Sequence, residues 1–198
     1  MDLLFATTNI NKTNEIKKAL PHNYNLISLK DIDLGNTKVE EPYLTLEENA
    51  IHKALSYNRL SGLECFAEDT GLEVESLNGQ PGVMSARYAG IPVNERNNIE
   101  KLLHELKNHQ NRKARFRTVI ALMTDNKCHL FEGVCNGRIL EIASGGNGFG
   151  YDPIFLPFGA DKTFADMTID EKNHYSHRRK ALLKLIDFLE KRTGPDSK

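Results

Sequence analysis

Short apolar runs separated by amphipathic stretches are the first pattern along this chain. Leu3–Ala6 predicts a buried strand, and Tyr24–Leu29 predicts a second one. A helix is predicted between them by apolar residues at helical spacing, namely Ile16, Ala19 and Leu20. Pro21 ends that helix, and residues 30–45 show no regular pattern.

The clearest helix signal follows the irregular segment. Thr45 can serve as an N-cap, and Glu48 three residues later completes the pattern of a capping box. We expect this helix to run to about Leu60 and to stop at Ser61-Gly62. Two further amphipathic helices are predicted over 94–106 and 178–191, and residues 193–198 are expected to fray.

The middle of the chain predicts further strands. Cys65–Ala67 is expected to end near Asp69, where Thr70-Gly71 begins a turn before the chain continues extended over Leu72–Val74. A hairpin is predicted from Arg115–Met123 and Cys128–Gly137 around Asp125-Asn126, and a short strand over Ile154–Leu156. Because helices and strands alternate with one antiparallel hairpin among them, the predicted class is α/β with a mixed sheet.

Composition and charge narrow the possible partners. The 198 residues contain 26 Lys and Arg against 27 Asp and Glu, so the net charge of −1 excludes a strongly basic nucleic-acid-coating protein. The longest apolar run, Val119–Met123, is far shorter than a membrane span, and the start of the chain lacks the pattern of a signal peptide. The three cysteines form no CxxC pair, which favours reduced thiols in the cytoplasm. We therefore expect neither a nucleic-acid nor a membrane partner.

Two groups of polar residues suggest phosphate and metal chemistry. Thr7-Thr8-Asn9 followed by Lys12 lies between a strand and a helix, where free N–H groups suit a phosphate, although an ordinary capped turn has the same sequence. Carboxylates that Mg²⁺ would accept recur at Glu40-Glu41 and Glu68-Asp69. Because side chains alternate along a strand, only one of Glu68 and Asp69 can face a given cleft easily.

Two later groups suggest recognition of a nucleotide base. Phe149 lies within the glycine-rich stretch Gly145–Gly150, so it could stack on a base or simply anchor a wide turn. A basic cluster follows, consisting of Lys172, His174, His177, Arg178, Arg179 and Lys180. Ser176 is a plausible N-cap for the last helix. Cations at a helix start oppose the helix dipole, which favours a bound anion or an acceptor atom over a merely solvated surface.

Six segments in this order resemble the inosine triphosphate pyrophosphatases, also called dITP/XTP pyrophosphatases. They are Leu3–Lys12, Thr45–Ala50, Glu68–Leu72, Pro81–Tyr88, Gly146–Pro153 and Ser176–Arg178. The resemblance implies an elongated mixed sheet flanked by helices, with two lobes and an active-site cleft between them. It also implies a homodimer that uses Mg²⁺ to hydrolyse ITP, dITP and XTP to the monophosphate and pyrophosphate, which removes deaminated purines from the nucleotide pool.

The resemblance also implies the roles of individual residues. Asp69 would be the catalytic residue, either as the base or as a ligand of the metal, and Glu41 would join it at the metal, with Glu40 as the alternative. The residues expected to bind the substrate are Thr7, Thr8, Asn9, Lys12, Lys53, Thr70, Phe149, Gly150, Tyr151, Asp152, Lys172, His177 and Arg178. Two other functions stay open, namely a Maf-like dTTP/UTP pyrophosphatase and a nucleotide-binding module without turnover.

Overall fold

A computed structural model describes residues 1–17 and 20–193 of the chain. Its helices are α1 (Ile10–Lys17), α2 (Leu46–Ser61), α3 (Glu95–Glu105), α4 (Ile169–Tyr175) and α5 (His177–Thr193). Its strands are β1 (Asp2–Phe5), β2 (Asn25–Ser28), β3 (Glu64–Val74), β4 (Pro81–Gly82), β5 (Lys113–Thr124), β6 (Lys127–Ile139) and β7 (Phe155–Pro157).

One mixed sheet contains all of these strands. Its order is β2-β1-β3-β5-β6-β7, and β4 pairs with β3 outside this path. Strand β1 is parallel to both β2 and β3, whereas β3 and β4, and also β6 and β7, are antiparallel. The predicted α/β class with a mixed sheet is therefore confirmed.

Local sequence explains where α2 and the central hairpin begin and end. The Thr45 hydroxyl accepts the backbone N–H of Glu48, and Gly62 ends α2 in the left-handed conformation with φ 72°. The second half of the expected capping box differs, since the Glu48 carboxylate accepts the Thr45 hydroxyl. Asp125 and Asn126 join β5 to β6 with φ of 49° and 57°, which these two residue types tolerate.

Strand β3 corrects the expected turn at Thr70-Gly71. It runs without a break from Glu64 to Val74, so Asp69 lies within a strand and not at its end. The glycine is required for another reason, because a Cβ at Gly71 would lie 2.6 Å from the carbonyl oxygen of Gly82 on β4. A close approach of two strands, and not a turn, accounts for this glycine.

Helix α4 was not predicted. It is seven residues long and begins with a complete capping box, in which Thr168 and Glu171 each bond the other's backbone N–H. Lys172 and His174 therefore lie on α4, whereas Arg178 lies on α5. Ser176 caps the start of α5 as expected, since its hydroxyl accepts the backbone N–H of Arg179 at 3.2 Å.

The chain divides into two compact units, each with its own core. The first unit consists of residues 1–69, 119–132 and the segment from Lys180 onward, and the second of residues 70–118 and 133–179. The core of the first unit includes Phe5, Ile16, Phe66 and Leu185, and that of the second includes Leu72, Phe116, Phe155 and Phe164.

Some of the predicted features involve residues that the structure does not describe. Ala19 of the first predicted helix and residues 194–198 of the expected frayed tail lie outside the described residues. Cys65 and Cys135 are buried and Cys128 is exposed, all three as free thiols. Among residues 1–17 and 20–193, every helix is too short or too polar to cross a membrane.

Candidate active site

The segment after β1 starts α1 with Asn9 as its cap. The side-chain oxygen of Asn9 accepts the backbone N–H of Lys12 at 3.2 Å, and its own N–H donates to the hydroxyl of Thr7 at 3.2 Å. Thr8 is exposed beside them. Thr7 and Asn9 thus form the start of α1. The positive end of this helix dipole lies where the sequence predicts a bound phosphate.

Lys12 is held by a buried carboxylate. Its Nζ lies 2.5 Å from Oε1 of Glu68, whose side chain is 3% exposed, against 28% for Lys12. A carboxylate at this depth is stable only when a charged or hydrogen-bonding partner compensates for its lost hydration. The pair therefore fixes the ammonium group of Lys12 at the start of α1.

A second lysine–glutamate pair joins α2 to the irregular segment before it. Lys53 of α2 contacts the carboxylate of Glu41. The buried side chain of Asn49 explains how an irregular segment can place Glu41, because its amide oxygen accepts the Tyr43 N–H at 3.0 Å and its amide nitrogen donates to the Tyr43 carbonyl at 3.1 Å. Glu40 is exposed, whereas Glu41 is partly buried.

Alternation along β3 separates Glu68 from Asp69. Phe66 stacks on Phe5 with ring centroids 4.5 Å apart in the core of the first unit, and Glu68 falls on the same face of the strand. Asp69 falls on the opposite face with Cys65, and its side chain is partly exposed. Glu68 is buried and Asp69 partly exposed, as expected for neighbouring residues of one unbroken strand.

Tyr57 of α2 lies near Cys65 of β3 and near Glu41. Burial raises the pKa of the Tyr57 hydroxyl of α2, and the nearby Cys65 and Glu41 add to this rise. Tyr57 is thus near both the Glu41–Lys53 pair and Cys65, the residue whose face of β3 Asp69 shares by alternation.

These carboxylates suit a magnesium ion that is completed by its substrate. Mg²⁺ binds hard oxygen ligands, commonly one or two carboxylates together with phosphate oxygens and water. Glu41 and Asp69 supply such oxygens, and within the described residues no group of three or more His, Cys, Asp or Glu side chains could hold a metal by itself. The oxygens of Glu41 and Asp69 are of the type that Mg²⁺ accepts.

Thr70 lies on the same face of β3 as Glu68 and contacts a second hydroxyl. Its Oγ1 is 2.7 Å from Oγ1 of Thr118 on β5, and Thr118 is fully buried. One of the two hydroxyls must donate its hydrogen to the other.

In the second unit, the glycine-rich loop presents an exposed aromatic ring. Phe149 is 58% exposed, and its backbone N–H donates to Oδ2 of the buried Asp152 at 3.0 Å. The same carboxylate oxygen lies 2.5 Å from Nζ of Lys172. There is no space for a side chain at Gly148, where a Cβ would lie 2.2 Å from this oxygen. Asp152 therefore orders both the loop and Lys172.

Two cations lie beside the exposed ring. Nζ of Lys172 on α4 is 5.2 Å from the centroid of Phe149, and the guanidinium carbon of Arg178 on α5 is 6.0 Å from it. With Asp152, the structure thus brings together four of the predicted substrate-binding residues in the second unit.

Two other predicted residues have buried side chains. Tyr151 is 4% exposed, its hydroxyl donates to the Ser85 carbonyl at 2.9 Å, and burial raises its pKa well above the usual value. His177 is 8% exposed and stacks on Phe116 at 4.8 Å. Tyr151 and the adjacent Gly150 can therefore approach a ligand through their backbone, and His177 is held by the core.

Sequence reasoning named Glu68 among the acidic candidates, but it predicted neither its pairing with Lys12 nor the bonds between Asn49 and Tyr43. The alternation of side chains showed that Glu68 and Asp69 would separate, but it could not show that α1 would lie on the side of Glu68. The signal for Asn49 was its position one turn before Lys53 on a capped helix, and its role depends on the backbone of Tyr43, which follows no pattern.

Comparisons with known proteins agree on one family. The family model described as the Ham1 family matches residues 3–188. The dITP/XTP pyrophosphatase of Christiangramia forsetii is 51% identical over 191 residues, which cover 96% of this chain and 100% of that protein. The protein of the same name from Flavobacterium psychrophilum is 50% identical over 188 residues, covering 95% and 98%. The structure of the Staphylococcus aureus Ham1 protein superposes with a TM-score of 0.92 at 40% identity, covering 98% of this chain and 100% of that one.

Proposed function

Because this chain belongs to the Ham1 family, we propose that it hydrolyses non-standard purine nucleoside triphosphates such as ITP, dITP and XTP. The products are the nucleoside monophosphate and pyrophosphate. The observation that carries this proposal is the exposed ring of Phe149 with Lys172 and Arg178 beside it, which offers a purine both a stacking surface and hydrogen-bond donors.

Base selection follows from the polarity of these donors. Hypoxanthine and xanthine carry an oxygen at position 6, whereas adenine carries an amino group that donates there. The guanidinium of Arg178 and the ammonium of Lys172 only donate, so they pair with the oxygen and repel the amine. A site whose donors stay unpaired with the wrong base discriminates strongly, by about 10⁴ or more.

Phosphate binding is assigned to Lys12 and Lys53. Each lysine is already neutralised by a carboxylate, Glu68 or Glu41, so a triphosphate must compete for the two ammonium groups. The backbone N–H groups at the start of α1 add donors that carry no such counter-charge. These contacts reduce the negative charge that would repel a nucleophile approaching the α-phosphorus.

The chemical step is attack of water on the α-phosphorus, which breaks the bond to the bridging oxygen and releases pyrophosphate. Asp69 either accepts a proton from this water or holds the metal near it. The proposal includes Mg²⁺, held by Glu41 and Asp69, which would supply charge neutralisation at the phosphates and lower the pKa of a nearby water. A free Asp with a pKa of about 3.9 is otherwise a weak base for water.

The proposal extends to a homodimer in the cytoplasm. The three free cysteines support a reducing compartment. Sedimentation equilibrium of the purified protein tests the dimer, which should sediment at twice the mass of 22.4 kDa.

A panel of nucleoside triphosphates with Mg²⁺ tests the function directly. Pyrophosphate and phosphate are scored separately, and ITP, dITP and XTP should give pyrophosphate much faster than ATP. Preference for dTTP and UTP would instead indicate a Maf-like activity. Nucleotide affinity without product would indicate a binding module and contradict the proposed hydrolysis.

A further inference from the structure

The loop that carries Phe149 is tied at its start to the segment before α4. The Ser144 hydroxyl donates to Oδ2 of Asp166 at 2.7 Å. The Thr163 hydroxyl lies 2.9 Å from the same oxygen and 3.0 Å from the Ser144 carbonyl oxygen, so its single hydrogen is shared between two acceptors. We refer to these three residues, Ser144, Thr163 and Asp166, as the loop clasp.

Backbone contacts lie alongside the clasp. The N–H of Asn147 donates to the Ala165 carbonyl at 3.1 Å. Gly145 has φ of 85°, and a Cβ there would lie 2.5 Å from the carbonyl carbon of Ala165. The loop therefore rests directly on residues 163–166, and the clasp fixes it at the point where this contact begins.

Anchor and ring differ sharply in exposure. Thr163 is 2% exposed, whereas Phe149 is 58% exposed. The far end of the loop has its own anchor, because the N–H of Phe149 bonds Asp152. Several glycines lie between these two anchors, and glycine gives the backbone more freedom than any other residue. If either anchor were absent, the Phe149 ring would be mobile in the free protein and would lose conformational freedom when a ligand bound.

We propose that Ser144, Thr163 and Asp166 are positioning residues that hold the Phe149 ring ready for a purine base. The inference rests on the proposed function, since it takes Phe149 as the surface on which the base stacks. Because the clasp orders the loop in the folded protein, the entropy lost on ordering the loop belongs to folding and does not reduce the affinity for the base. It should affect affinity for the base and leave the phosphate contacts of Lys12 and Lys53 unaltered.

Paired substitutions at Thr163 test this by kinetics. Thr163→Val keeps the shape and removes the hydroxyl, whereas Thr163→Ser keeps the hydroxyl. For Thr163→Val, KM for ITP should rise roughly threefold to tenfold, as expected for one lost hydrogen bond, with little change in kcat. The inhibition constant of pyrophosphate, which has no base, should not change, and Thr163→Ser should resemble the wild type. Two results would overturn the inference. One is an equal loss of affinity for ITP and for pyrophosphate in Thr163→Val, and the other is a similar loss of ITP affinity in Thr163→Val and Thr163→Ser.

A second measurement reports on the loop without turnover. The chain contains no tryptophan, so Phe149→Trp provides a single indole on the loop. In this background and without nucleotide, Thr163→Val should lower the fluorescence anisotropy of the indole, and Thr163→Ser should not. Ser144→Ala, at an exposed position, should lower it by a smaller amount without disturbing a buried site.

The two measurements separate the clasp from the proposed function. Unchanged anisotropy in both Thr163→Val and Ser144→Ala would overturn the clasp, whatever the protein hydrolyses. Reduced anisotropy in a protein that converts no purine triphosphate would support the clasp as a restraint on the loop and contradict the proposed function.

Discussion

Lys12 and Glu68 form an ion pair with 2.5 Å between Nζ and Oε1, and the carboxylate lies almost entirely out of contact with solvent. Such a pair has two separable effects. It stabilises the fold by compensating a buried charge, and it places a cation at the start of a helix where a phosphate is expected.

Lys12→Met should therefore reduce both stability and triphosphate binding. We expect a loss of about 1–3 kcal/mol in unfolding free energy, below the range for fully buried pairs because the Lys12 side chain is 28% exposed. The double variant Lys12→Met/Glu68→Gln should recover most of this stability and none of the binding. Urea unfolding and titration with ITP and IMP measure the two effects. Equal losses of ITP and IMP affinity would place Lys12 away from the phosphate chain.

Asp69→Asn should abolish turnover and leave the fold intact. The side chain is partly exposed on β3, so an amide of the same size is accommodated, but it neither accepts a proton readily nor binds a metal as a carboxylate does. The measurements are kcat with dITP and the thermal midpoint of the same preparation. Activity within a few-fold of the wild type would remove Asp69 from both proposed roles.

Arg178→Ala should reduce selectivity between ITP and ATP. A lost hydrogen bond to a charged donor costs roughly 1.5–3 kcal/mol, or about one to two decades in the ratio of kcat/KM values. Phe149→Ala is the matched comparison, because loss of stacking should weaken all purines alike. An unchanged ratio in Arg178→Ala would show that the base is recognised elsewhere.

Acid should destabilise the protein partly through Glu64. Its carboxylate accepts two hydrogen bonds from Arg192, at 2.9 and 3.0 Å, and these hold its pKa below the ordinary value of 4.5. A lowered pKa means that the stabilisation is present above the ordinary value and is lost as pH falls through the pKa of the folded state.

Thermal midpoints measured from about pH 6 down to about pH 3 test this linkage. Glu64→Gln should be less stable than the wild type at the upper end, and the difference should shrink toward the lower end. Arg192→Met should likewise make the thermal midpoint less dependent on pH, since it removes the partner of Glu64. A constant difference between wild type and Glu64→Gln across the range would show that the pair does not respond to pH.

The sequence correctly predicted features that depend only on residues close together in the chain. The Thr45 cap of α2 and the Asp125-Asn126 turn depend on neighbouring residues, and both are confirmed. The expected turn at Thr70-Gly71 was wrong because Gly71 serves a contact with β4, which lies about ten residues later in the chain. A lone glycine cannot reveal which of these two requirements it meets.

Helix α4 and the pairing of Glu68 with Lys12 were missed for related reasons. The capping box of Thr168 and Glu171 was visible in the sequence, but the helix is short and its charged residues were interpreted as one basic cluster. Side-chain alternation separated Glu68 from Asp69, and the choice between them depended on where α1 packs. Pairing across the fold, unlike capping, leaves no local signal.

The two cores differ in which parts of the chain each needs in order to be complete. The second unit ends at Arg179, so all of its residues have been joined before α5 has been made in full. The first unit begins the chain, yet its core needs Ala181, Leu182, Leu185, Ile186 and Leu189 from that last helix. Until α5 packs, the first core leaves exposed the apolar surface that these residues cover, whereas the second core draws on no residue after Arg179. The first core is therefore closed by a segment that follows the whole of the second unit in the sequence.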